Sequence, residues 1–97
     1  MKTIILKISE PWELAGMAVG CTIVKCDLRS PTNRCIVKID SPIHWHDCQY
    51  QYLLLNWRCS NDAWGIGLSD AVDVGEDAFA AEKKWRGGLA LRAVIVV

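Results

Sequence analysis

Apolar residues recur at every second position in several short segments of this chain, and this period constrains the fold more than any other feature. Successive side chains of a β-strand point to opposite faces, so the period is typical of strands packed on a core. Segments 3–8, 18–28, 34–39, 50–57 and 89–97 follow the pattern. Both faces of 50–57 are largely apolar, which predicts a central strand that is covered on both sides.

The apolar face of segment 18–28 changes near Ile23 and Val24, which predicts a bulge there. Segment 89–97 is apolar to its end, so we expect it to pair internally or with a partner, because an exposed apolar edge promotes aggregation. Proline cannot donate to a strand ladder, so the run 40–42, which ends in Pro42, predicts the end of the third strand. Gly65 and Gly67 flank Ile66, and this segment is too rich in glycine for its pattern to predict a strand.

A short helix is predicted between the last two strand-like regions. Acidic residues at 76 and 77, basic residues at 83, 84 and 86 and a Gly-Gly pair at 87–88 form the charge polarity and stop signal of a helix. We therefore predict one globular domain over residues 1–97, mainly β, as a small antiparallel β-barrel or sandwich-like sheet of five to six strands. This helix precedes the C-terminal strand, and an α+β sheet with the helix on one face is the alternative.

The charges of the chain balance, with 11 Lys and Arg against 11 Asp and Glu. Such a chain has no overall field to attract nucleic acid or an anionic membrane, and a near-zero charge is compatible with self-association. No apolar run approaches the roughly 20 residues that span a bilayer. We therefore expect a cytoplasmic protein with no membrane partner.

The 5 cysteines are an odd number, and no pair has the two-residue gap of a zinc knuckle or redox motif. Buried thiols without such spacing behave as small hydrophobic side chains. We expect most of these cysteines to be buried and reduced.

The 5 tryptophans are more than a core of this size usually needs. Tryptophan is enriched at the centres of protein interfaces. Trp57 belongs to the core by its strand pattern, whereas Trp12, Trp45, Trp64 and Trp85 are candidate interaction residues. This excess favours a non-catalytic protein-binding or self-associating module without a cofactor, and the alternative is that all the tryptophans fill a compact barrel.

His44, His46 and Cys48 carry the most concentrated metal-ligand chemistry in the chain. On a strand these alternate positions share one face, and imidazole and thiolate suit zinc. A metal-binding protein or metal-dependent enzyme is therefore one alternative function. Three such positions span roughly 13 Å of strand, which is far for one tetrahedral ion, so the histidines are also candidate surface or interface residues.

Lys83, Lys84 and Arg86 flank Trp85 and combine cations with an aromatic ring. Single-stranded nucleic acid is bound by such surfaces through stacking and phosphate contacts. A single-stranded nucleic-acid binder is therefore the third alternative. Charge compensation at the end of the predicted helix explains the same residues without a ligand.

Overall fold

A computed structural model shows that the chain is mainly β and describes residues 3–27, 33–58, 60–68 and 88–96. Six antiparallel strands form a closed barrel in which each strand pairs with the next and the last pairs with the first. The strands are β1 (Thr3–Glu10), β2 (Ala18–Asp27), β3 (Asn33–Trp45), β4 (Cys48–Trp57), β5 (Asp62–Leu68) and β6 (Ala90–Val96). The predicted antiparallel β-barrel is confirmed.

The helix predicted at 76–86 lies outside the described residues. Within the part of the chain that the structure describes, the helical element is the single 3-10 turn Trp12–Leu14 between β1 and β2. No helix in this part is long and apolar enough to cross a membrane.

Alternate side chains of the strands point into the barrel and form its core. The inward residues of β1 and β6 follow the predicted alternation and are all buried: Ile4, Leu6, Ile8, Leu91, Ala93 and Ile95. Strand β6 pairs with β1 on one side and with β5 on the other. The apolar C-terminal strand is thus paired internally.

Strand β4 is buried on both faces, as predicted for a central strand. Leu53 and Leu55 belong to the barrel core, whereas Leu54 forms a second buried cluster with Ile36 of β3. Tyr52 is half-buried against this second cluster.

The glycine-rich segment around Ile66, for which the sequence pattern predicted no strand, is strand β5. Gly65 and Gly67 face the barrel interior and are buried. A β-carbon on Gly67 would meet the ring of Tyr50, and one on Gly65 would meet Leu55. The glycines therefore leave space that larger side chains of the neighbouring strands, such as Leu55 of β4 and Leu91 of β6, fill.

The pairing of β2 with β3 shifts between Ile23 and Lys25, which confirms the predicted bulge. After the shift Cys26 lies directly opposite Cys35, and the two form a disulfide. The expectation of reduced thiols is therefore wrong for this pair, because the bulge brings them into the same register. Cys21 is a buried free thiol as expected, whereas Cys48 is exposed.

The prediction that the third strand ends at 40–42 is also wrong, since β3 continues to Trp45. The regular pairing of β3 with β4 stops at Lys38 and resumes at Ile43. Pro42 lies within this interruption, where the ladder does not require the N–H group that proline lacks.

Candidate binding groove

Four outward-facing residues form a row across neighbouring strands. Asn56 of β4 pairs with Trp64 of β5, Trp64 pairs with Arg92 of β6, and Arg92 pairs with Glu10 of β1. Directly opposed residues on antiparallel strands have β-carbons about 5 Å apart. This row, called the Trp64 row below, therefore places an amide, an indole, a guanidinium group and a carboxylate side by side.

A bulge at the end of β1 sets the position of the carboxylate in this row. The register of β1 against β6 shifts between Ile8 and Glu10, so that Ser9 is the extra residue. The Ser9 hydroxyl donates a hydrogen bond to the backbone carbonyl of Arg92 at 3.2 Å. This contact holds the bulged segment against β6 and keeps Glu10 opposite Arg92.

The Trp64 row lines two grooves on the barrel surface. The first groove has a volume of about 500 Å³ and also contains Arg58 and Ser60 of the connection between β4 and β5 and Asp62 at the start of β5. The second has a volume of about 410 Å³ and is mostly apolar, with Ile66 among the residues beside the row. A ligand that lies on Trp64 can thus use a polar groove and an apolar groove together.

Two hydrogen bonds order the connection that borders the first groove. Asn33 donates from its Nδ2 atom to the backbone carbonyl of Arg58 at 3.3 Å. The backbone N–H of Asp62 donates to the Ser60 hydroxyl at 3.3 Å. Both contacts fix the backbone from which the exposed Arg58 and Asp62 side chains extend.

The predicted interaction tryptophans have different surroundings. Trp12 is 82% exposed on the 3-10 turn and Trp64 is 57% exposed on the outer face of β5. Trp45 and Trp57 are half-buried against the barrel core, as predicted for Trp57. Trp85 lies outside the described residues. Of these rings, Trp64 combines high exposure with a position in both grooves.

The predicted arrangement of His44, His46 and Cys48 on one strand face is wrong. His46 and Asp47 both have positive φ angles, 46° and 64°, and form the two-residue turn between β3 and β4. Trp45 pairs directly with Cys48 across this turn. Among the residues that the structure describes, no three His, Cys, Asp or Glu side chains are grouped as a metal site would require.

The remaining candidate groups are the basic residues around Trp85 and the buried thiol of Cys21. Lys83, Lys84 and Arg86 lie outside the described residues, so the nucleic-acid surface proposed around them stays a prediction. Burial, followed by the charge of Asp40, raises the pKa of the Cys21 thiol from 9.0 to about 12. A thiol in this environment stays protonated near neutral pH, which makes Cys21 a poor nucleophile.

Most of the residues beside Trp64 were not identified from the sequence pattern. Glu10, Asn56 and Arg92 meet only through the register of the strands. The one available signal is Asn56, a polar residue that follows the apolar run 53–55 of β4.

Comparisons of the chain with protein-family models, curated proteins and solved structures return no match.

Proposed function

We propose that this protein is a non-catalytic protein-binding module and that a segment of its partner lies in the grooves beside Trp64. The observation that carries the proposal is a 57% exposed tryptophan at the junction of two grooves. Exposed aromatic rings in such positions are typical centres of protein interfaces, because their burial releases a large apolar area while few rotamers are lost.

The charges around Trp64 favour a protein over a nucleic acid. Arg58 and Arg92 are matched by Glu10 and Asp62 along the first groove. A nucleic-acid groove needs a surplus of cations to follow the phosphate backbone, because phosphate contacts dominate the affinity. A peptide with side chains of both signs fits the balanced groove better.

The closed barrel restricts how such a peptide binds. Each of the six strands is paired on both sides, so the described strands offer no continuous free edge for an added strand. Recognition therefore has to use side chains of the outer face. The Trp64 row supplies stacking through the indole, a donor on Arg92 and an acceptor on Glu10, beside the buried Asn56.

Selection from a random peptide-display library tests the proposal, with fluorescence titration of the best synthetic peptide. We expect Trp64→Ala to weaken binding about 30-fold, the loss of about 2 kcal/mol that defines an interface hot spot. Trp12→Ala is the matched control, because it removes an even more exposed indole that lines neither groove. Circular dichroism verifies that both variants are folded.

Two results would contradict the proposal. One is the recovery only of peptides that bind the wild type and Trp64→Ala equally well. The other is salt-sensitive binding of a single-stranded oligothymidylate that is lost in Arg92→Ala, which would assign the groove to nucleic acid instead.

A further inference from the structure

A second exposed apolar surface lies on the neighbouring strands β1 and β6. Ile5 is 48% exposed, Val94 40% and Val96 38%, and Ile5 pairs directly with Val96. Val94 points outward two residues before Val96 on the same strand. These three residues, called the β1–β6 face below, form a continuous apolar strip, and such strips mark interaction sites on soluble proteins.

Opposite charges flank this strip. Lys7 of β1 and Asp62 of β5 both pair with Val94, one on each side. Adjacent strands are about 4.8 Å apart, so the α-carbons of Lys7 and Asp62 are separated by about 10 Å across Val94. Both side chains are exposed. The row Lys7, Val94, Asp62 therefore runs from positive through apolar to negative.

We infer that the β1–β6 face binds a second copy of this chain around a two-fold axis parallel to β6. Rotation about this axis places Val94 against its own copy, and it does the same for Arg92 of β6, whose like charge is offset by Glu10, its cross-strand partner on β1. It also places Lys7 of each copy opposite Asp62 of the other, so that two Lys7–Asp62 pairs form between the chains. An interface of this kind is isologous, because each copy contributes the same patch.

The charges select this axis over the alternative. A two-fold axis in the same plane but perpendicular to the strands would bring Lys7 against its own copy and Asp62 against its own copy. Like charges in such positions disfavour association. The zero net charge of the chain also leaves no overall repulsion between two copies. The surface is thus complementary to itself, which favours a second copy over a different protein.

Asp62 belongs to both proposed surfaces, but the two proposals are tested through residues that the surfaces do not share. Ile5, Lys7, Val94 and Val96 do not line either groove, whereas Trp64 is not part of the β1–β6 face. Trp64→Ala is therefore expected to leave dimerisation unchanged, and Lys7→Glu is expected to leave peptide binding unchanged. Failure of one proposal can be distinguished from failure of the other.

Analytical ultracentrifugation over a concentration series up to about 1 mM tests the inference. We expect a monomer–dimer equilibrium in the wild type. Lys7→Glu should raise the dissociation constant by at least about tenfold, because two attractive pairs become repulsive. The double variant Lys7→Glu with Asp62→Lys exchanges the charges and should restore dimerisation to near the wild-type level. Val94→Asp should give a monomer.

Lys38→Glu is the matched control, since it changes the net charge as much as Lys7→Glu does but lies on the outer face of β3. It should leave the dissociation constant within about twofold of the wild type. A wild-type monomer throughout the series would overturn the inference. So would a dimer that Lys7→Glu and Lys38→Glu weaken equally, or a double variant that does not recover.

Discussion

Substitution of Gly67 by alanine tests how the interior of the barrel is filled. A β-carbon at Gly67 would lie 2.7 Å from Cδ1 and 2.9 Å from Cγ of Tyr50, and 3.1 Å from Cβ of Leu89. Favourable contacts between carbon atoms need about 3.5–4.0 Å. The Tyr50 ring is buried in the core, and the β-carbon of Leu89 is attached directly to the backbone, so neither neighbour can move easily.

The expected cost follows from two opposing effects. Overpacking of a core costs about 1–3 kcal/mol, whereas replacement of a strand glycine by alanine recovers about 0.5–1 kcal/mol of backbone entropy. We therefore expect Gly67→Ala to lower the free energy of unfolding by about 1–2 kcal/mol. For a domain of this size the melting temperature should fall by about 5–10 °C.

Gly65→Ala provides the matched comparison on the same strand. Its β-carbon would lie 3.0 Å from Cδ2 of Leu55 and 3.2 Å from Cδ1 of Leu91. Both atoms are the ends of flexible side chains that can shift, so this variant should stay within about 0.5 kcal/mol of the wild type. Urea unfolding followed by tryptophan fluorescence measures both variants.

A Gly67→Ala variant as stable as the wild type would refute this reasoning. The same holds if Gly65→Ala is the more destabilised of the two. In a Tyr50→Leu background, the ring that Gly67→Ala meets is absent, so the cost of Gly67→Ala should become smaller. A double-mutant cycle measures this coupling, and purely additive effects would show that the ring is not the obstacle.

Two further predictions concern the cysteines. The raised pKa of Cys21, about 12, means that the folded chain keeps a proton that the unfolded chain releases. The free energy of unfolding should therefore be insensitive to this thiol below about pH 9 and fall by up to about 1.4 kcal/mol per unit between pH 9 and pH 12. The Cys21→Ala variant should lack this pH-dependent loss. The prediction is contradicted if the difference in free energy of unfolding between the wild type and the variant does not change with pH. Reduction of the disulfide between Cys26 and Cys35, which are 9 positions apart, should lower the free energy of unfolding by about 2.7 kcal/mol through loop entropy. Urea unfolding with and without reductant measures this change. The control variant Cys48→Ser keeps the disulfide and should lose the same free energy on reduction. Unfolding curves that are identical with and without reductant would contradict the prediction.

The strand pattern predicted the barrel well because the two faces of a strand differ in burial. The alternation in 89–97 and the change of face near Ile23 and Val24 both correspond to observed features of β6 and β2. The end predicted for β3 failed because the argument assumed an unbroken ladder at Pro42, whereas the pairing is interrupted there. Local composition does not show where a ladder is interrupted.

The turn at His46 and Asp47 was missed for a related reason. Two-residue hairpin turns with two positive φ angles favour Asn-Gly or Asp-Gly, and this turn contains no glycine. Histidine and aspartate adopt this backbone region more often than most residues, so the turn is possible without its usual sequence signal. The prediction treated residues 44–48 as one strand, whereas they include the end of β3, the turn and the start of β4. The shared face of His44, His46 and Cys48 followed from that mistake.

The candidate binding groove was only partly predictable. Trp64 was selected because it lies beside glycine, but the residues next to it in space depend on how four strands are aligned. The disulfide has the same origin, because Cys26 faces Cys35 only after the bulge shifts the register. Both features arise from pairing between strands that are distant in the chain, and the local pattern of apolar and polar residues does not reveal this pairing.

Strand β5 combines the structural and proposed binding roles on its two faces. Its inward positions carry Ala63, Gly65 and Gly67, and the two glycines leave space for larger side chains of the neighbouring strands. Its outward positions include Trp64, which lies in the proposed binding groove, and Asp62, which contributes to both proposed surfaces. Because successive residues of a strand point to opposite faces, the outer positions can change without altering the volume of the core. In the closed barrel, substitutions at the outward positions of β5 can therefore change the binding partner while the core stays the same.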